Sequence, residues 1–347
     1  MAEATSEGCG PFVRTAGLSL VATAGLIGCS PMSASKDGTL PPAVAGERRE
    51  IEARAGRLSY YVAGTGRPLL LVHSINAAGS AYEVRPIFER MRAGFRTYAL
   101  DLPGFGFSDR SPRRYEVRLY VDAIHDMLDA IEADIGPAPV DALAISLSSE
   151  FLARAATERP ERLRSLTLVT PTGFSKAYGT LRGPEGSTRE VAGLYGFFTF
   201  PVWSQAFYDL LVSRVSIRYF LQRTFGSKEI DEGLLDYDYR TAHQPGAKNA
   251  PYAFVSGRLF SADIRTVYER LELPVWMPHG TRGDFKDFSE AGWVKARPNW
   301  SVQPFDTGAL PHFERPKEFL EAFERFLAAV PTAEGYSSLS EARSPSP

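Results

Sequence analysis

The sequence predicts an α/β fold in which helices cover both faces of a mostly parallel β-sheet. Hydrophobic residues make up 44% of the 347 residues, which is enough to fill the core of one large domain. Short apolar runs alternate with stretches of helical periodicity along most of the chain, as is typical of parallel sheets with helical crossovers. The alternation stops only between residues 175 and 270, where we expect a helical insertion.

The apolar runs define the predicted strands, and the helical stretches fall between them. Residues 48–63 alternate in polarity as a β-hairpin does, with residues 57–62 as its second arm. Continuous apolar strands are expected at 68–72, 96–100, 140–145, 165–170, 275–278 and 300–305. Helices are expected at 82–92, 115–133, 147–158 and 316–329.

These patterns divide the chain into predicted segments. Residues 49–174 and 271–332 form the core, and residues 175–270 form an inserted helical cap. Residues 29–48, with several Ser, Gly and Pro, are a predicted linker, and residues 333–347 a flexible tail. The cap is rich in aromatic residues, which at helical spacing pack in cores more often than they line ligand sites.

Composition excludes several classes of function. The formal net charge of −2 provides no basic excess for a nucleic-acid partner. Both cysteines, Cys9 and Cys29, precede residue 30, so the predicted body has no thiol for a metal site, a disulfide or a nucleophile. No two of the five histidines stand at the i, i+4 spacing of a helical zinc site. We therefore expect no metal.

The first 28 residues are predicted to be a signal peptide. The apolar run at 15–27 is too short to span a bilayer comfortably, and it ends in residues 26–29, LIGC. This ending resembles the lipobox of bacterial lipoproteins. The resemblance implies that Cys29 is lipidated, becomes the first mature residue and anchors the protein in the bacterial cell envelope. Glu3 and Glu7 are atypical of a signal peptide, so an ordinary N-terminus on a cytoplasmic protein is the alternative.

The stretch 101–109, DLPGFGFSD, directly follows the predicted strand at 96–100. It resembles the turn after the fourth strand of α/β-hydrolases that carry a helical cap. Its glycines and proline make a tight exit from the sheet, so its role is structural rather than catalytic. The resemblance covers roughly residues 50–330. It implies an eight-stranded, mostly parallel α/β-hydrolase sheet, an inserted helical cap and no cofactor.

Ser146 is the predicted nucleophile. It lies in residues 144–148, AISLS, between an apolar strand and an amphipathic helix, where the α/β-hydrolase family carries its nucleophile elbow. Glycine usually stands two places before and two places after the serine, because the strained turn leaves little space. Ala144 and Ser148 are small enough to be tolerated there. In the absence of catalysis, Ser146 would simply cap the following helix.

A serine nucleophile needs a neighbouring base, and the base needs a carboxylate to orient it. His312 lies between the last predicted strand and the last helix, in a stretch that resembles the loop carrying the family's histidine. Asp284 follows the strand after which the family places its acid, and the order Ser, Asp, His also matches. The gap from Gly280 to Asp284 is one residue longer than usual, so Asp287 is an alternative acid.

Backbone N–H groups complete the predicted site. An oxyanion hole needs two such donors, which the resemblance assigns to Leu147 and Ile75. Ile75 follows His73 in a loop similar to the family's His-Gly loop, where the histidine is structural. Asn76 in the same loop and His243 in the cap are candidates for substrate contact. The commoner roles for such residues are turn stabilisation for Asn76 and packing or surface exposure for His243.

The predicted function is hydrolysis of a small-molecule carboxylic ester with an apolar part, through an acyl-enzyme on Ser146. The same triad in this family also cleaves carbon–carbon bonds, so that chemistry is an alternative. Serine rather than aspartate at the elbow argues against the haloalkane dehalogenase and epoxide hydrolase branches. A non-catalytic lipoprotein that binds ligands on the same fold is the alternative from another class.

Overall fold

The computed structural model describes residues 40–176 and 182–331, so the predicted signal peptide and tail lie outside it. Within these residues eight strands form one sheet: β1 (Glu47–Ala53), β2 (Gly56–Ala63), β3 (Arg67–Val72), β4 (Phe95–Asp101), β5 (Val140–Ile145), β6 (Leu163–Val169), β7 (Val275–Gly280) and β8 (Trp300–Phe305). Their order is β1-β2-β4-β3-β5-β6-β7-β8. The pairs β1–β2 and β2–β4 are antiparallel, and the other pairs are parallel. The predicted eight-stranded, mostly parallel sheet is confirmed.

The helices fall between the strands and after the last one. In the described residues they are α1 (Arg85–Met91), α2 (Val117–Ile135), α3 (Ser148–Glu158), α4 (Leu194–Thr199), α5 (Ser204–Leu211), α6 (Arg214–Phe225), α7 (Glu232–Ala242), α8 (Asn249–Val255), α9 (Ile264–Glu269), α10 (Gly292–Lys295), α11 (Pro311–Glu314) and α12 (Pro316–Ala329). None of these helices is long and apolar enough to cross a membrane.

The core lies on both faces of the sheet. Leu70 and Val72 of β3 join one apolar cluster with side chains of α2 and α3. Leu69 and Leu71 of the same strand join a second cluster with side chains of α1 and α12. Alternate residues of a strand point to opposite faces, so the two clusters lie on opposite sides of the sheet. Central strands that are buried in this way have no polar side, which explains their continuous apolar sequence.

The cap packs against the loop that follows β3. In the described residues, the helices α4 to α9 lie between β6 and β7. Tyr237 of α7 stacks on Tyr82, which follows that loop, with ring centroids 4.7 Å apart. The hydroxyl of Tyr208, on α5, donates a hydrogen bond to the carbonyl oxygen of Ala77 at 3.1 Å. The cap therefore covers the loop in which the sequence places half of the oxyanion hole.

The linker predicted at 29–48 does not hold for residues 40–48. Leu40 and Val44 are buried in the apolar cluster that contains α1 and α12. The Tyr237 hydroxyl donates a hydrogen bond to the Pro41 carbonyl oxygen at 2.8 Å. The Pro and Gly content indicated a linker, but apolar side chains between those residues are held by packing. The described chain therefore begins against the cap.

The turn after β4 has a structural role. Asp101 is buried, and its carboxylate accepts hydrogen bonds from the N–H groups of Ala81 at 2.9 Å and Phe107 at 3.0 Å. Burial raises the pKa of Asp101. Gly106 has a φ of 50°, and a Cβ there would lie 1.9 Å from the Asp101 Cγ, so only glycine fits. The turn thereby ties β4 to the short helix that follows the β3 loop.

Candidate active site

Ser146 lies between the end of β5 at Ile145 and the start of α3 at Ser148. Its φ of 54° is in the left-handed region, which residues other than glycine adopt rarely and at a cost in free energy. The Ser146 N–H donates a hydrogen bond to the Val169 carbonyl oxygen at 2.9 Å. This sharp turn from strand to helix has the geometry of a nucleophile elbow.

Small polar residues join the elbow to its surroundings. Ala144 and Ser148 are both fully buried. The Ser148 Oγ donates a hydrogen bond to the His73 carbonyl oxygen at 2.6 Å, which connects the elbow to the loop after β3. The Ser149 Oγ donates to the Ala144 carbonyl oxygen at 3.2 Å. Serine in place of glycine at position 148 therefore adds a contact between the two loops.

Two buried backbone N–H groups lack an acceptor. Leu147 follows Ser146 and Ile75 lies in the loop after β3, and both residues are buried. Across residues 40–176 and 182–331, neither N–H makes a hydrogen bond. A buried N–H without a partner is costly unless water or a ligand satisfies it. Both groups are therefore available to an anionic oxygen, as an oxyanion hole requires.

The carboxylate of Glu83 holds the loop that contains Ile75. It accepts hydrogen bonds from the Ser74 N–H at 2.8 Å, the Ser74 Oγ at 3.1 Å and the Asn76 Nδ2 at 2.6 Å. The Asn76 Oδ1 accepts from the Ala78 N–H at 2.6 Å. The side chain of Asn76 is thus engaged within the turn, which favours turn stabilisation over substrate contact. Burial raises the pKa of Glu83 in spite of these donors.

His73 is fully buried and braces the same loop. Its Nε2 accepts a hydrogen bond from the Leu102 N–H at 3.0 Å, and its Nδ1 lies 2.6 Å from the Ser74 carbonyl oxygen. These two partners require the proton to be on Nδ1 alone, so the ring is neutral. Burial lowers the pKa of His73 to about 4, which agrees with that assignment.

His312, the predicted base, is bonded to a backbone carbonyl group rather than to Ser146. It lies in α11 and is fully buried. Its Nε2 lies 2.8 Å from the carbonyl oxygen of Glu83, so that nitrogen is a donor here. Its Nδ1 is buried without a partner in the described part of the chain. Burial lowers the pKa of His312 to about 4, and the ring is neutral at pH 7.

Neither candidate acid is hydrogen-bonded to His312. Asp284 forms an ion pair with Arg223 of α6. Asp287 accepts hydrogen bonds from the N–H and the Oγ of Ser289, and these bonds lower its pKa. The triad therefore stays a prediction, since the structure does not bring its acid and its base together. The choice between Asp284 and Asp287 also stays open.

Two further predicted residues have other placements. His243 follows α7 at the surface of the cap, where it is exposed and its ring lies 4.1 Å from that of Tyr239. This placement favours a surface role over substrate contact. Cys29 lies outside the described residues. Inside them, no group of three or more His, Cys, Asp or Glu side chains could hold a metal ion.

Three further residues near the candidate site were not among the site residues predicted from the sequence: Glu83, Asp238 and Thr170. The contacts of Glu83 are described above. Asp238 of α7 is buried, its Oδ1 has no partner in the described ranges, and burial and the charge of Glu83 raise its pKa. Thr170, after β6, has a φ of 47° and donates from Oγ1 to the Ala309 carbonyl oxygen at 2.8 Å. The two carboxylates lie in helical segments, where a charged residue usually indicates a solvated face.

Solved structures share this architecture over most of the chain. A serine hydrolase involved in carbazole degradation superposes with a TM-score of 0.64 and 17% identity, covering 82% of this chain and 99% of that one. A meta-cleavage product hydrolase from Pseudomonas fluorescens IP01 gives a TM-score of 0.61 and 19% identity, covering 81% and 97%. Residues 67–224 also match a family model described as the alpha/beta hydrolase fold. This chain has the α/β-hydrolase fold.

Curated relatives of this chain match over shorter stretches. The 2-hydroxymuconate semialdehyde hydrolase of Pseudomonas sp. (strain CF600) is 30% identical over 129 residues, which are 37% of this chain and 44% of that protein. The haloalkane dehalogenase of Sphingobium indicum is 37% identical over 91 residues, which are 24% of this chain and 30% of that enzyme. The chain thus spans less than half the length of these two relatives.

Proposed function

We propose that this α/β-hydrolase is a serine hydrolase that uses Ser146 as its nucleophile. The observation that carries the proposal is the strained φ of 54° at Ser146, between a strand and a helix. Backbone strain of this kind costs free energy and is concentrated at functional sites. The unpaired N–H groups of Ile75 and Leu147 add the stabilisation that a developing oxyanion needs.

In the proposed reaction the Ser146 Oγ attacks the carbonyl carbon of an ester while His312 takes the hydroxyl proton. The N–H groups of Ile75 and Leu147 stabilise the tetrahedral oxyanion. Collapse of this intermediate breaks the carbon–oxygen bond, and the alcohol leaves with the proton from His312. Water then attacks the acyl-enzyme by the same route, releases the carboxylic acid and restores the Ser146 hydroxyl.

This mechanism requires His312 to move. Its Nε2 would have to leave the Glu83 carbonyl oxygen before it could accept the Ser146 proton. The Asp284 carboxylate would have to break its ion pair with Arg223 and bind the imidazole of His312. Catalytic hydrogen bonds often form or tighten only when substrate is bound, and the present contacts are compatible with the assignment.

The proposed substrate is a small carboxylic ester with an apolar acyl or alcohol part. Hydrolysis of a carbon–carbon bond is a second candidate, supported by the names of two similar proteins, a 2-hydroxymuconate semialdehyde hydrolase and a meta-cleavage product hydrolase. Both reactions need a nucleophile and an oxyanion hole, so the elbow and the two N–H groups serve either.

Labelling with a fluorophosphonate, followed by turnover assays, tests the proposal. We expect the probe to modify Ser146, as located by mass spectrometry of the digested protein. The labelled preparation is then compared with the untreated protein on p-nitrophenyl esters of increasing chain length and on 2-hydroxymuconate semialdehyde. If the protein turns over the semialdehyde and none of the esters, carbon–carbon bond hydrolysis replaces ester hydrolysis as the proposed reaction.

A different class of function is the other candidate: a protein with the same fold that binds a ligand and does not catalyse a reaction. It is favoured by the present contacts of the predicted base and acid. His312 is hydrogen-bonded to the Glu83 carbonyl oxygen, and Asp284 is paired with Arg223. Circular dichroism would first establish that the protein is folded. A folded protein that is neither labelled by the fluorophosphonate nor active on either substrate type would then replace the hydrolase proposal with this one.

The choice between the two acids leads to a prediction. Asp284→Asn is expected to lower kcat by about 10⁴-fold, because only the triad acid fixes the tautomer of the imidazole. Asp287→Asn is expected to leave kcat close to its original value. Because Asp284→Asn also breaks the ion pair with Arg223, Arg223→Gln serves as the control that breaks the same pair and keeps the carboxylate. A reversed ranking in steady-state kinetics would make Asp287 the acid.

We further propose that the mature protein begins at a lipidated Cys29 and is anchored in a bacterial cell envelope. The support is the apolar run at 15–27 and its lipobox-like ending. Several acyl chains on one cysteine would anchor the protein stably, whereas a single chain binds a membrane only marginally.

A Cys29→Ala variant is expected to stay unprocessed or to lose its lipid. Mass spectrometry of the native protein and of the variant, isolated from the membrane and soluble fractions, measures both properties. If the majority of the native protein carries an unmodified N-terminal peptide that runs through Cys29, the anchor is refuted and a cytoplasmic location follows.

A further inference from the structure

The cap exposes a compact apolar surface, which we call the cap patch and define as Phe197, Phe200, Val202 and Trp203. The exposed fractions are 54% for Phe197 and 80% for Val202, and the other two side chains are also exposed. The Trp203 ring lies 5.4 Å from that of Phe197 and 4.4 Å from that of Phe200, measured between centroids. Two exposed phenylalanine rings that both contact an exposed tryptophan ring form the kind of surface that marks an interaction site.

The side-chain polar groups in and beside the cap patch are hydrogen-bonded within the protein. Residues 191–203 contain no charged side chain. The Trp203 Nε1 donates a hydrogen bond to the Phe197 carbonyl oxygen at 2.8 Å, and the Thr199 Oγ1 donates to the Tyr195 carbonyl oxygen at 2.9 Å. A polar group that already has its partner costs little to move into a medium of low dielectric constant. The cap patch can therefore enter hydrocarbon without losing hydrogen bonds to water from these groups.

The described chain begins at the cap. The Pro41 carbonyl oxygen accepts a hydrogen bond from the hydroxyl of Tyr237 on α7. Leu40 is buried in an apolar cluster that also contains side chains of the cap. Ten residues separate Leu40 from Cys29 in the sequence. Because an extended chain spans at most about 3.6 Å per residue, a lipid on Cys29 would hold Leu40 within about 40 Å of the bilayer.

We propose that the cap patch is a docking surface for a lipid bilayer, so that the cap faces the membrane. Trp and Phe side chains favour the boundary between headgroups and hydrocarbon, and an uncharged segment enters it without the cost of burying a charge. The proposal does not depend on hydrolysis; the distance to the bilayer rests on the proposed lipidation of Cys29, whereas the exposure and composition of the cap patch do not. It assigns the partner as a lipid surface rather than a second protein.

Quenching of tryptophan fluorescence by brominated lipid tests this proposal. Trp203 is exposed, whereas Trp276 and Trp300 are buried and Trp293 is partly buried. The full-length Cys29→Ala protein is mixed with vesicles of phosphatidylcholine and phosphatidylglycerol that contain brominated phosphatidylcholine. We expect quenching on binding, and loss of that quenching in the additional variant Trp203→Phe, which keeps an apolar ring and still sediments with the vesicles.

A charge on the cap patch provides the second measurement. Val202→Asp is expected to reduce vesicle binding and Trp203 quenching by about tenfold or more, since a carboxylate resists transfer out of water. The matched control is Ile135→Asp, which places the same charge on an exposed apolar residue at the end of α2. Circular dichroism establishes that both variants are folded.

Three results would overturn the proposal. Vesicle-bound protein whose Trp203 is not quenched would show that another segment mediates the binding. Equal loss of quenching in Val202→Asp and Ile135→Asp would show a general effect of charge. Concentration-dependent dimerisation that Val202→Asp abolishes, without Trp203 quenching by vesicles, would assign the cap patch to a protein interface instead.

Discussion

Ser146→Ala is expected to abolish hydrolysis while the fold stays intact. Removal of the nucleophile of a serine triad lowers kcat by about 10⁶-fold. The Ser146 side chain makes no hydrogen bond in the described part of the protein, and no structural contact is lost with its hydroxyl. The melting temperature should therefore change little, and kcat on the best ester and the melting curve measure the two effects separately.

Ser148→Ala is the matched control for this variant. It removes another hydroxyl from the same elbow, together with its hydrogen bond to the His73 carbonyl oxygen. Loss of one buried hydrogen bond costs about 1 kcal/mol, so the control should be less stable yet still react with the fluorophosphonate at Ser146. If Ser146→Ala keeps more than about a tenth of the original kcat, the nucleophile lies elsewhere.

The sheet was predictable because its signal is local. Residues 140–145 and 300–305 were expected as strands from their sequence and are strands with the same bounds. The helix expected at 82–92 shows where a local pattern is insufficient. A short 3₁₀ helix occupies Ala81–Val84, and α1 begins at Arg85, since Pro86 has no N–H and fits the first turn of a helix.

The turn at Ser146 could also be predicted, because one strand, one serine and one helix adjoin in the chain. The partners of His312 could not, because Glu83 is 229 residues away in the sequence. Its carboxylate lies in a segment that the sequence predicted only as a helix, and only the tertiary structure shows that it holds Ser74 and Asn76. A sequence motif identifies the family of a loop, but it does not determine which way a side chain in that loop points.

His312 has the second large expected effect. As the base it is indispensable, so His312→Ala and His312→Gln should both lower kcat/KM by about 10⁴-fold or more. The structure offers a different role, in which the Nε2–H only braces the Glu83 carbonyl group. Gln distinguishes the two, because its amide N–H can still donate to that oxygen but cannot accept the Ser146 proton. Activity retained in His312→Gln and lost in His312→Ala would establish the bracing role.

The pH profile of His312 gives an independent measurement of its role. Burial lowers the pKa of His312 to about 4. A base must be unprotonated to accept the serine proton, so kcat/KM should rise as the pH increases through about 4 and be constant from about pH 6 to pH 8. A midpoint near 6.5 would instead indicate that the ring reacts from a solvated position, after it has left the Glu83 carbonyl group. If His312→Gln retains both the size and the shape of the original profile, the imidazole takes no proton in the reaction and the base has to be sought elsewhere.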